Sequence, residues 1–467
     1  MTNREDNKAG IIGLTVTGLA WGAVLAEAGV SVLATDMDEE VVNGCLEEGE
    51  MPGVEPGLEA LATAQLAAGN LTLCPNTRRV IRECPVIFIT AMVPPDEEDR
   101  PSLRFVEAAV RQVAGQAPEN RVIAVKAPVA MGSTERLQQS VDAILSDRED
   151  GPKRIVVTAV PELYDDGQMV RSMAGDGPLI IGCDGEIPEA LAAICAALDP
   201  QGRRTRRCTP REAELAVFAE AGRLAAELAW KNEMAALCGG LEVDGDVVAG
   251  LLKGQRRVRN RLVENRPLSL GYGGSRLPRE VREWAALAGD AGLSDSLAEA
   301  FDAQNARHGE AAGRWLEAAL AQSLAGVDDP VVAVIGASSS PGTDDLRETP
   351  AVEILKALAA PAAEKAEASG EGADVKPFRL YVPWGMDQMK WRLFKEREVF
   401  TFCDTAVEAT RDADALIVLG SWPGGSGILM PSLKKRMRGR LILDAAALFS
   451  REKAEKLGFE YCRLFQK

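Results

Sequence analysis

Two glycines, a threonine and an acid near the start of the chain are spaced to hold a dinucleotide. An apolar segment leads through Gly13, Thr15 and Gly18 into a helix of small residues, and a second apolar segment ends at Asp36. Such a turn places a pyrophosphate at the helix N-terminus, and an acid about twenty residues further on accepts from ribose hydroxyls. Thr15 stands where the fingerprint has its middle glycine, so it narrows the approach of the pyrophosphate. We predict NAD as the cofactor, bound by these four residues.

Histidine and cysteine usage excludes other chemistries. His308 is the only histidine, so a histidine-based metal centre or catalytic triad is excluded, and we predict no metal site. We expect His308 on a helix surface. The nine cysteines are scattered without a C-x-x-C pair, which predicts buried thiols in a reducing compartment.

The charge balance argues against nucleic acid as a partner. The net charge is −17, whereas nucleic-acid affinity depends on neutralising phosphates. Two basic clusters stand out, and they are either solvated helix faces or contacts for an anionic ligand or a subunit. They comprise Arg203, Arg204, Arg206, Arg207 and Arg211, and then Lys253, Arg256, Arg257, Arg259, Arg261 and Arg266.

The pattern of apolar runs predicts an α/β protein with two Rossmann-like domains joined by a long central helix. Strands are expected near 10–14, 30–35, 86–91, 121–126 and 155–160. A second unit starts with a strand, loop and helix over 331–358, and further strands are expected near 378–382, 415–419 and 440–444. Thr209 and Pro210 begin a helical stretch that ends at a Gly-Gly pair and could form the core of a homodimer. The low-complexity segment 359–375 is interpreted as a mobile insertion. The polar start and the lack of a membrane-spanning run predict a cytoplasmic protein without membrane contact.

Further motifs follow in order: Glu55-Pro56-Gly57-Leu58, Lys126 with Gly132, Pro161-Glu162-Leu163, Asn232-Glu233, Gly271-Tyr272-Gly273-Gly274-Ser275 and Pro341-Gly342-Thr343-Asp344-Asp345-Leu346-Arg347-Glu348. Together with the opening turn they resemble the UDP-glucose/GDP-mannose dehydrogenase family over nearly the whole chain. The resemblance implies an NAD-type Rossmann domain (1–204), a helical dimerisation segment (205–327) and a UDP-sugar-type Rossmann-like domain (328–467). It also implies oxidation of a sugar C6 alcohol to a carboxylate in two NAD-dependent steps, through a cysteine thioester.

Most residues that carry this chemistry in the family are replaced here. Arg276 stands where the family has its nucleophilic cysteine, and arginine cannot be deprotonated to attack an aldehyde. The family's central-helix Lys and Asn align with Val217 and Ala221. The other replaced positions are Val93, Pro128, Ser340 and Ala446.

Some candidate site residues remain. Glu162 is either a base for an alcohol, if burial raises its pKa, or a structural hydrogen-bond acceptor. Lys126 is the other candidate for moving a proton. Arg276, Arg256 and Arg259 are candidates for holding an anionic substrate.

Two glycine-containing motifs complete the site prediction. Tyr272, Gly273 and Ser275 are predicted substrate contacts, since the GYGGS glycines permit close approach to a ligand or to the partner domain. The stretch 341–348 is predicted to begin a helix whose acids cap its N-terminus, mainly as a structural element.

Three functional hypotheses follow. The first is an NAD-dependent oxidoreductase of altered chemistry, which removes two electrons from an alcohol or shuttles hydride without net redox change. Its substrate would be a nucleotide sugar or another anionic small molecule, in a specialised biosynthetic pathway. The second is an inactive pseudoenzyme that acts as a binding or regulatory partner on a dimeric scaffold. The third is a four-electron dehydrogenase whose nucleophile has moved.

Overall fold

The chain forms two compact units, Met1–Glu220 and Ala221–Lys467. The computed structural model describes residues 7–97, 100–152, 154–164, 167–252, 270–369, 376–420 and 430–466. Arg256 and Arg259, with the rest of the second basic cluster, lie outside the described residues.

Eight strands form the sheet of the first unit: β1 Lys8–Ile12, β2 Ser31–Thr35, β3 Leu71–Leu73, β4 Val86–Ile89, β5 Arg121–Val125, β6 Ile155–Ala159, β7 Leu179–Gly182 and β8 Thr205–Cys208. Their order is β3-β2-β1-β4-β5-β6-β7-β8. All neighbours are parallel except β6 and β7. The chain reverses its direction of winding between β1 and β4, where open α/β sheets hold their ligands. The sheet ends with β8, beyond the predicted domain boundary at residue 204.

Helices cover both faces of this sheet: α1 Val16–Glu27, α2 Glu39–Asn43, α3 Leu58–Ala67, α4 Thr77–Glu83, α5 Arg104–Gln116, α6 Ser133–Ser146, α7 Met169–Arg171 and α8 Glu189–Leu198, with π-helical turns at Gly44–Glu48 and Ser172–Asp176. Alternate residues of each strand enter different cores. Ile11 and Phe88 pack in the core that includes α1, whereas Ile12 and Ile87 pack in the core that includes α5. Burial on both faces explains the continuous apolar runs that identified these strands.

A long helix runs from the first unit into the second. This helix is α9, Pro210–Gly240, and α10 Gly245–Leu252, α11 Leu277–Asp290 and α12 Leu297–Ser323 follow it. At its start the Thr209 hydroxyl accepts from the Glu212 backbone N–H, and the Glu212 carboxylate accepts from the Thr209 backbone N–H. This reciprocal cap explains why the helix begins where the sequence predicts it.

A six-stranded parallel sheet forms the rest of the second unit, in the order β11-β10-β9-β12-β13-β14. Its strands are β9 Val332–Ile335, β10 Phe378–Tyr381, β11 Phe400–Phe402, β12 Ala415–Val418, β13 Leu441–Asp444 and β14 Glu460–Arg463. Its helices are α13 Pro350–Ser369, α14 Met386–Arg392, α15 Ala406–Ala409, α16 Met430–Arg436 and α17 Arg451–Lys456, with a 3₁₀ turn at Arg397–Val399. The predicted fold class, two Rossmann-like domains joined by a long helix, is confirmed.

The predictions for the low-complexity segment and for His308 are wrong. The described part of the supposed mobile insertion, 359–369, continues α13 through Pro361, because alanine-rich sequence favours helix and Ala359 packs in the core. Residues 370–375 lie outside the described residues. His308 is buried on α12, where its ring meets the Phe465 ring edge-to-face at 5.5 Å, so it is not on a surface.

Candidate functional site

The turn between β1 and α1 is fixed by a hydrogen bond from Thr90, the residue that follows β4. Gly13 has a φ of +116°, and a Cβ there would lie 2.5 Å from the Ala91 backbone nitrogen. A Cβ at Gly18 would overlap the Gly13 carbonyl oxygen. The buried Thr90 hydroxyl donates to that same carbonyl at 2.6 Å. Both positions therefore require glycine, and the sequence analysis missed Thr90, although it ends a recognised apolar run.

Thr15 is turned into the protein. Its hydroxyl donates to the Thr90 carbonyl at 3.1 Å and accepts from the Gly18 backbone N–H at 3.1 Å, so it is the N-cap of α1. This cap stabilises the helix but uses one N–H of its first turn. The residue that replaces the middle glycine thus rigidifies the turn and also reduces the N–H groups available to a phosphate.

Asp36 links the end of β2 to this turn. Its two carboxylate oxygens accept from the Leu14 N–H at 2.7 Å and from the Asp38 N–H at 3.0 Å. The side chain is half-buried, so one edge remains open. A half-buried carboxylate in this position fits the ribose of a dinucleotide, and the tight glycine turn fits its pyrophosphate. Gly13, Thr15, Gly18 and Asp36 are therefore brought together as predicted.

Replacing Asp36 with asparagine should weaken NAD binding by about 10- to 100-fold, because a hydrogen bond to a charged acceptor contributes about 1.5–3 kcal/mol. Asparagine keeps the shape and one acceptor for the turn. Isothermal titration with NAD⁺ measures the change, with Glu119→Gln, at a side chain that is 82% exposed and outside the turn, as the control. Equal affinities for Asp36→Asn and the parent protein would remove Asp36 from the cofactor site.

Lys126 and Glu162 form a buried ion pair at the carboxyl ends of β5 and β6. The Lys126 ammonium contacts Oε1 of Glu162. The Lys126 side chain has no exposed surface, whereas 9% of the Glu162 side chain is exposed. Burial lowers the pKa of Lys126, and the charge of Glu162 opposes this shift. Of the two, only Glu162 can touch a ligand, and Lys126 lies behind it.

The aromatic ring of Trp21 completes the surroundings of this pair. The Lys126 ammonium lies 3.6 Å from the ring centroid, in cation–π geometry. Trp21 is 1% exposed, and its other contacts include the edge of Phe88 at 5.4 Å between ring centroids. The sequence analysis missed Trp21, because an aromatic residue in an apolar helix has the ordinary signature of a core residue.

Burial disfavours the thiolate form of six of the nine cysteines. None of the nine is in a disulfide, and seven are buried. Burial raises the pKa of Cys45, Cys183 and Cys208, of Cys195 and Cys403 to about 11, and of Cys84 to about 12. A raised pKa leaves little thiolate near neutral pH. The prediction that the cysteines form no disulfide framework is confirmed, and the prediction of burial is confirmed for seven of the nine.

The GYGGS loop packs against residues 345–348 of its own unit. The Gly274 N–H donates to the Arg347 carbonyl at 2.7 Å, and the Ser275 N–H donates to the Asp345 carboxylate at 2.7 Å. A Cβ at Gly273 would lie 2.5 Å from the Glu348 carbonyl oxygen. The close approach that these glycines permit is therefore to residues 345–348.

The stretch 341–348 is a turn, and the prediction that it begins a helix is wrong. Helix α13 starts only at Pro350. Asp345 is occupied by Ser275 and by the Arg347 guanidinium, whose Nε lies 2.7 Å from Oδ1. Glu348 holds Arg282 of α11 through two hydrogen bonds of 2.9 and 3.0 Å. Asp345 therefore contacts the GYGGS loop and Glu348 contacts α11, in place of the helix-capping role that was predicted for the acids of this stretch.

Tyr272 is clamped inside the second unit. Asn305 accepts from the Tyr272 N–H at 2.7 Å and donates to its carbonyl at 2.9 Å. The phenol donates to Asp302 at 3.1 Å, and the ring is 4% exposed. Burial and the Asp302 charge raise the pKa of Tyr272. The predicted substrate role of Tyr272, Gly273 and Ser275 remains a prediction, because their contacts here are internal.

Arg276 occupies the N-cap position of α11. Its guanidinium lies 2.8 Å from the carboxylate of Glu280, one turn along the helix, and the two side chains are 13% and 5% exposed. Glu280 was not identified from the sequence, although its spacing of four residues from Arg276 is that of a helical ion pair. A charged, paired arginine thus stands where a nucleophile would have to be free.

Asp199, which was not predicted as a site residue, fixes the backbone at the start of the first basic cluster. Asp199 accepts from the N–H groups of Arg203, Arg204 and Thr205 at 2.8–3.0 Å and from the Thr205 hydroxyl at 2.9 Å. The Arg204 guanidinium donates hydrogen bonds to backbone carbonyls, including that of Gly177 at 2.8 Å. Burial opposes ionisation of Asp199, but the hydrogen bonds lower its pKa to about 2.

Asp199→Asn should therefore destabilise the protein at pH 7 and less so in acid. The folded-state pKa of about 2 lies below the ordinary value, so the carboxylate stabilises the fold above about pH 4. This contribution is lost as the pH falls from about 4 to about 2. Urea midpoints of the variant and the parent protein should converge over that range. A difference in midpoint that is the same at pH 7 and pH 3 would contradict this account of Asp199.

Among the described residues there is no group of three or more His, Cys, Asp or Glu side chains arranged for a metal ion. A search of the same residues also finds no helix that is long and apolar enough to cross a membrane.

Comparison with known proteins gives a consistent result along the chain. Residues 7–196, 211–307 and 333–451 match the NAD binding, central and UDP binding domains, respectively, of the UDP-glucose/GDP-mannose dehydrogenase family. UDP-glucose 6-dehydrogenase of Pseudomonas aeruginosa is 28% identical over 461 residues, which cover 97% of this chain and 96% of that protein. The Rhizobium meliloti UDP-glucose 6-dehydrogenase is 26% identical, with 98% and 99% covered.

Solved structures agree on the fold. A UDP-glucose dehydrogenase from Pyrobaculum islandicum superposes with a TM-score of 0.77 at 23% identity, covering 97% of this chain and 96% of that one. A UDP-D-ManNAc dehydrogenase from Pyrococcus horikoshii gives a TM-score of 0.76 at 21% identity, with 98% and 99% covered. At such identities the likeness concerns the fold alone.

Proposed function

The chain belongs to the UDP-glucose/GDP-mannose dehydrogenase family, and from that premise we propose that it takes one hydride from an alcohol carbon of a nucleotide-linked sugar without forming a thioester. It is an NAD-dependent dehydrogenase that acts on a CH–OH group. The hydride either leaves as NADH, which makes an aldehyde or ketone, or returns to the sugar with no net redox change. The observation that carries the proposal is the Arg276–Glu280 ion pair at the position of the family's nucleophile.

The first unit is assigned the cofactor. Gly13 and Gly18 give the turn, Thr15 caps the helix and Asp36 faces the ribose. NAD, when bound, supplies the hydride acceptor. The acid-rich stretch of Asp36, Asp38 and Glu39 disfavours an additional phosphate on the ribose, which supports NAD over NADP.

Glu162 is assigned the role of accepting the proton of the alcohol. Alcohol oxidation releases a proton from the hydroxyl as the hydride leaves carbon, so the site needs a base. Glu162 has the partly exposed carboxylate of the buried pair, and Lys126 lies behind it. We therefore assign Glu162 as the base and Lys126 as the residue that fixes its position.

A four-electron route has no support in these residues. It requires a thiolate to attack the aldehyde and to leave after a second hydride transfer. Arg276 cannot do this, and burial disfavours the thiolate at the cysteines whose pKa is shifted. Oxidation therefore stops after one hydride.

The second unit is assigned the nucleotide sugar, because residues 333–451 match the family's UDP binding domain. Two family contacts are replaced, at Ser340 and Ala446. Ser340 uses its carbonyl to accept from Ser338 and Thr343, at 3.0 Å each. We therefore assign the substrate to the class of nucleotide sugars or related anions, without choosing the sugar.

Calorimetric titration of cofactor-stripped protein with NAD⁺ and NADH tests the proposal, followed by a turnover screen with UDP-glucose, UDP-galactose, UDP-N-acetylglucosamine and UDP-glucuronate. Micromolar cofactor binding and turnover of one sugar are the expected results. Failure to bind NAD would overturn the proposal and favour the pseudoenzyme, whose partner would be another protein.

We also propose that the protein is a homodimer formed through α9. Trp230, Leu237 and Leu241 recur on one face of its C-terminal half and after it, and they are 51%, 59% and 64% exposed. Val247 and Leu251 of α10 are exposed as well. Exposed apolar side chains at helical spacing mark a surface for association, and a second copy of the same helix is self-complementary.

Leu237→Glu should weaken the dimer by at least about 30-fold, because it buries a charge at the centre of the apolar face. Sedimentation velocity over a concentration series measures the change. Phe394→Glu, an equally exposed residue elsewhere in the second unit, is the control. A parent protein that sediments as a monomer throughout would refute the dimer.

A further inference from the structure

The ring of Trp21 lies against the buried ammonium of Lys126. It lies on α1, in the same core as Phe88, and its side chain is almost fully buried. Within the part of the chain that the structure describes, its indole N–H has no hydrogen-bond partner. A leucine or phenylalanine would fill such a core position without burying an unpaired donor, so tryptophan is retained at a cost. What tryptophan adds is a large π face, and that face meets Lys126 at 3.6 Å from the ring centroid.

The charges around Lys126 show why the π face of Trp21 matters for the ammonium. Glu162 supplies the countercharge. The other charged or titratable groups that act on the ammonium are Arg204, whose charge opposes it, and the Cys195 thiol of α8. Burial raises the pKa of Cys195 to about 11, so this thiol stays neutral and gives no second countercharge. The π face of Trp21 thus favours the charged form of Lys126 where one carboxylate alone must offset full burial.

We propose that Trp21 is a positioning residue for the base: its ring holds Lys126 as an ammonium, and the ammonium fixes the Glu162 carboxylate at the site surface. The inference rests on the proposed function of Glu162 as the base. The active form of the pair then carries one proton, on Lys126. When Lys126 loses that proton, Glu162 loses the positive charge that positions it, and activity falls.

The sign of the effect follows from the cation–π contact. Removing the π face destabilises the ammonium and leaves the neutral amine unaffected, so the pKa of Lys126 falls further. The high-pH limb of the kcat/KM profile should move down by about one pH unit in Trp21→Leu, given the usual strength of a desolvated cation–π contact. Trp21→Phe, which keeps a weaker π face, should show a smaller shift.

Two measurements on the full-length protein test this. The first is an NMR titration of ¹³Cε-labelled lysine, with the Lys126 signal assigned by its absence in Lys126→Met. The second is the kcat/KM profile with a UDP-sugar that the screen shows to be turned over. Trp315→Leu, a half-buried tryptophan of the second unit, is the matched control and should move neither readout.

The expected result is a lowered Lys126 pKa and a lowered high-pH limb in Trp21→Leu, intermediate values in Trp21→Phe and no shift in Trp315→Leu. An unchanged or raised Lys126 pKa in Trp21→Leu would overturn the role of the ring. A lowered pKa with an unmoved limb would confine Trp21 to packing and overturn the positioning role. A lowered pKa in a protein that turns over no sugar would overturn both the proposed function and this inference, while the contact itself would stand.

Discussion

Glu162→Gln is expected to lower kcat by about 10²- to 10⁴-fold, the usual contribution of a positioned base. Glutamine preserves the size of the side chain and a hydrogen-bond acceptor for Lys126, but it cannot take the proton from an alcohol. NAD affinity should stay close to that of the parent protein, because Glu162 is assigned to the proton and the glycine turn to the cofactor. Steady-state kinetics and NAD⁺ calorimetry on the same preparations measure the two quantities.

Glu119→Gln is the matched control for this prediction, since the Glu119 side chain is 82% exposed and lies in the same unit. It should leave kcat unchanged. A Glu162→Gln variant that retains more than about a tenth of the parent kcat would show that another group accepts the proton.

Lys126→Met is expected to cost about 3–5 kcal/mol of unfolding free energy, because it leaves the Glu162 carboxylate buried without its partner. The Lys126 side chain has no exposed surface and Glu162 only 9%, so solvent screens this pair weakly. Methionine matches the lysine stem in length and keeps the contact with the Trp21 ring. Urea denaturation at pH 7 measures the loss.

The double variant Lys126→Met/Glu162→Gln separates the ion pair from its surroundings. Removing both charges should recover most of the stability, since replacing a buried pair as a whole is often close to neutral. A double variant as unstable as the sum of the two single variants would contradict the pair as the source of the loss. The double variant should still lack activity.

The fold could be predicted from the sequence because local signals and the final structure agree. The apolar runs of β4 and β5 are buried on both faces, and the Thr209–Glu212 cap starts α9 where expected. Five strands were not predicted: β3, β7, β8, β11 and β14. β7 is a buried apolar run, Leu-Ile-Ile-Gly, which a local pattern could have identified. The others include short or polar strands. β3 has three residues, and β8 reads Thr-Arg-Arg-Cys with two exposed arginines. Their pairing is decided by neighbours distant in sequence, so no local pattern could identify them.

The site could be predicted only where a motif fixes the backbone. Gly13, Gly18 and Asp36 were identified because their roles depend on conformation and spacing. Thr90, Trp21 and Glu280 act through contacts made by folding, with partners 77, 105 and 4 residues away in sequence for Thr90–Gly13, Trp21–Lys126 and Glu280–Arg276. Thr90 and Trp21 each belong to a buried apolar segment, so nothing in the sequence distinguishes them from ordinary core residues. The prediction of a mobile insertion at 359–375 was wrong for a different reason. Low complexity was interpreted as a sign of a linker, but alanine-rich sequence also favours a helix.

The most direct test of the central claim is the ratio of NADH released to UDP-sugar consumed in a reaction run to completion. NADH absorbance gives the first quantity, and chromatography of the nucleotide sugar gives the second, together with the identity of the product. The account predicts at most one NADH per sugar, with an aldehyde, a ketone or an epimer as the product. Two NADH per sugar and a carboxylate product would contradict it, and would show that a nucleophile other than residue 276 completes the thioester route.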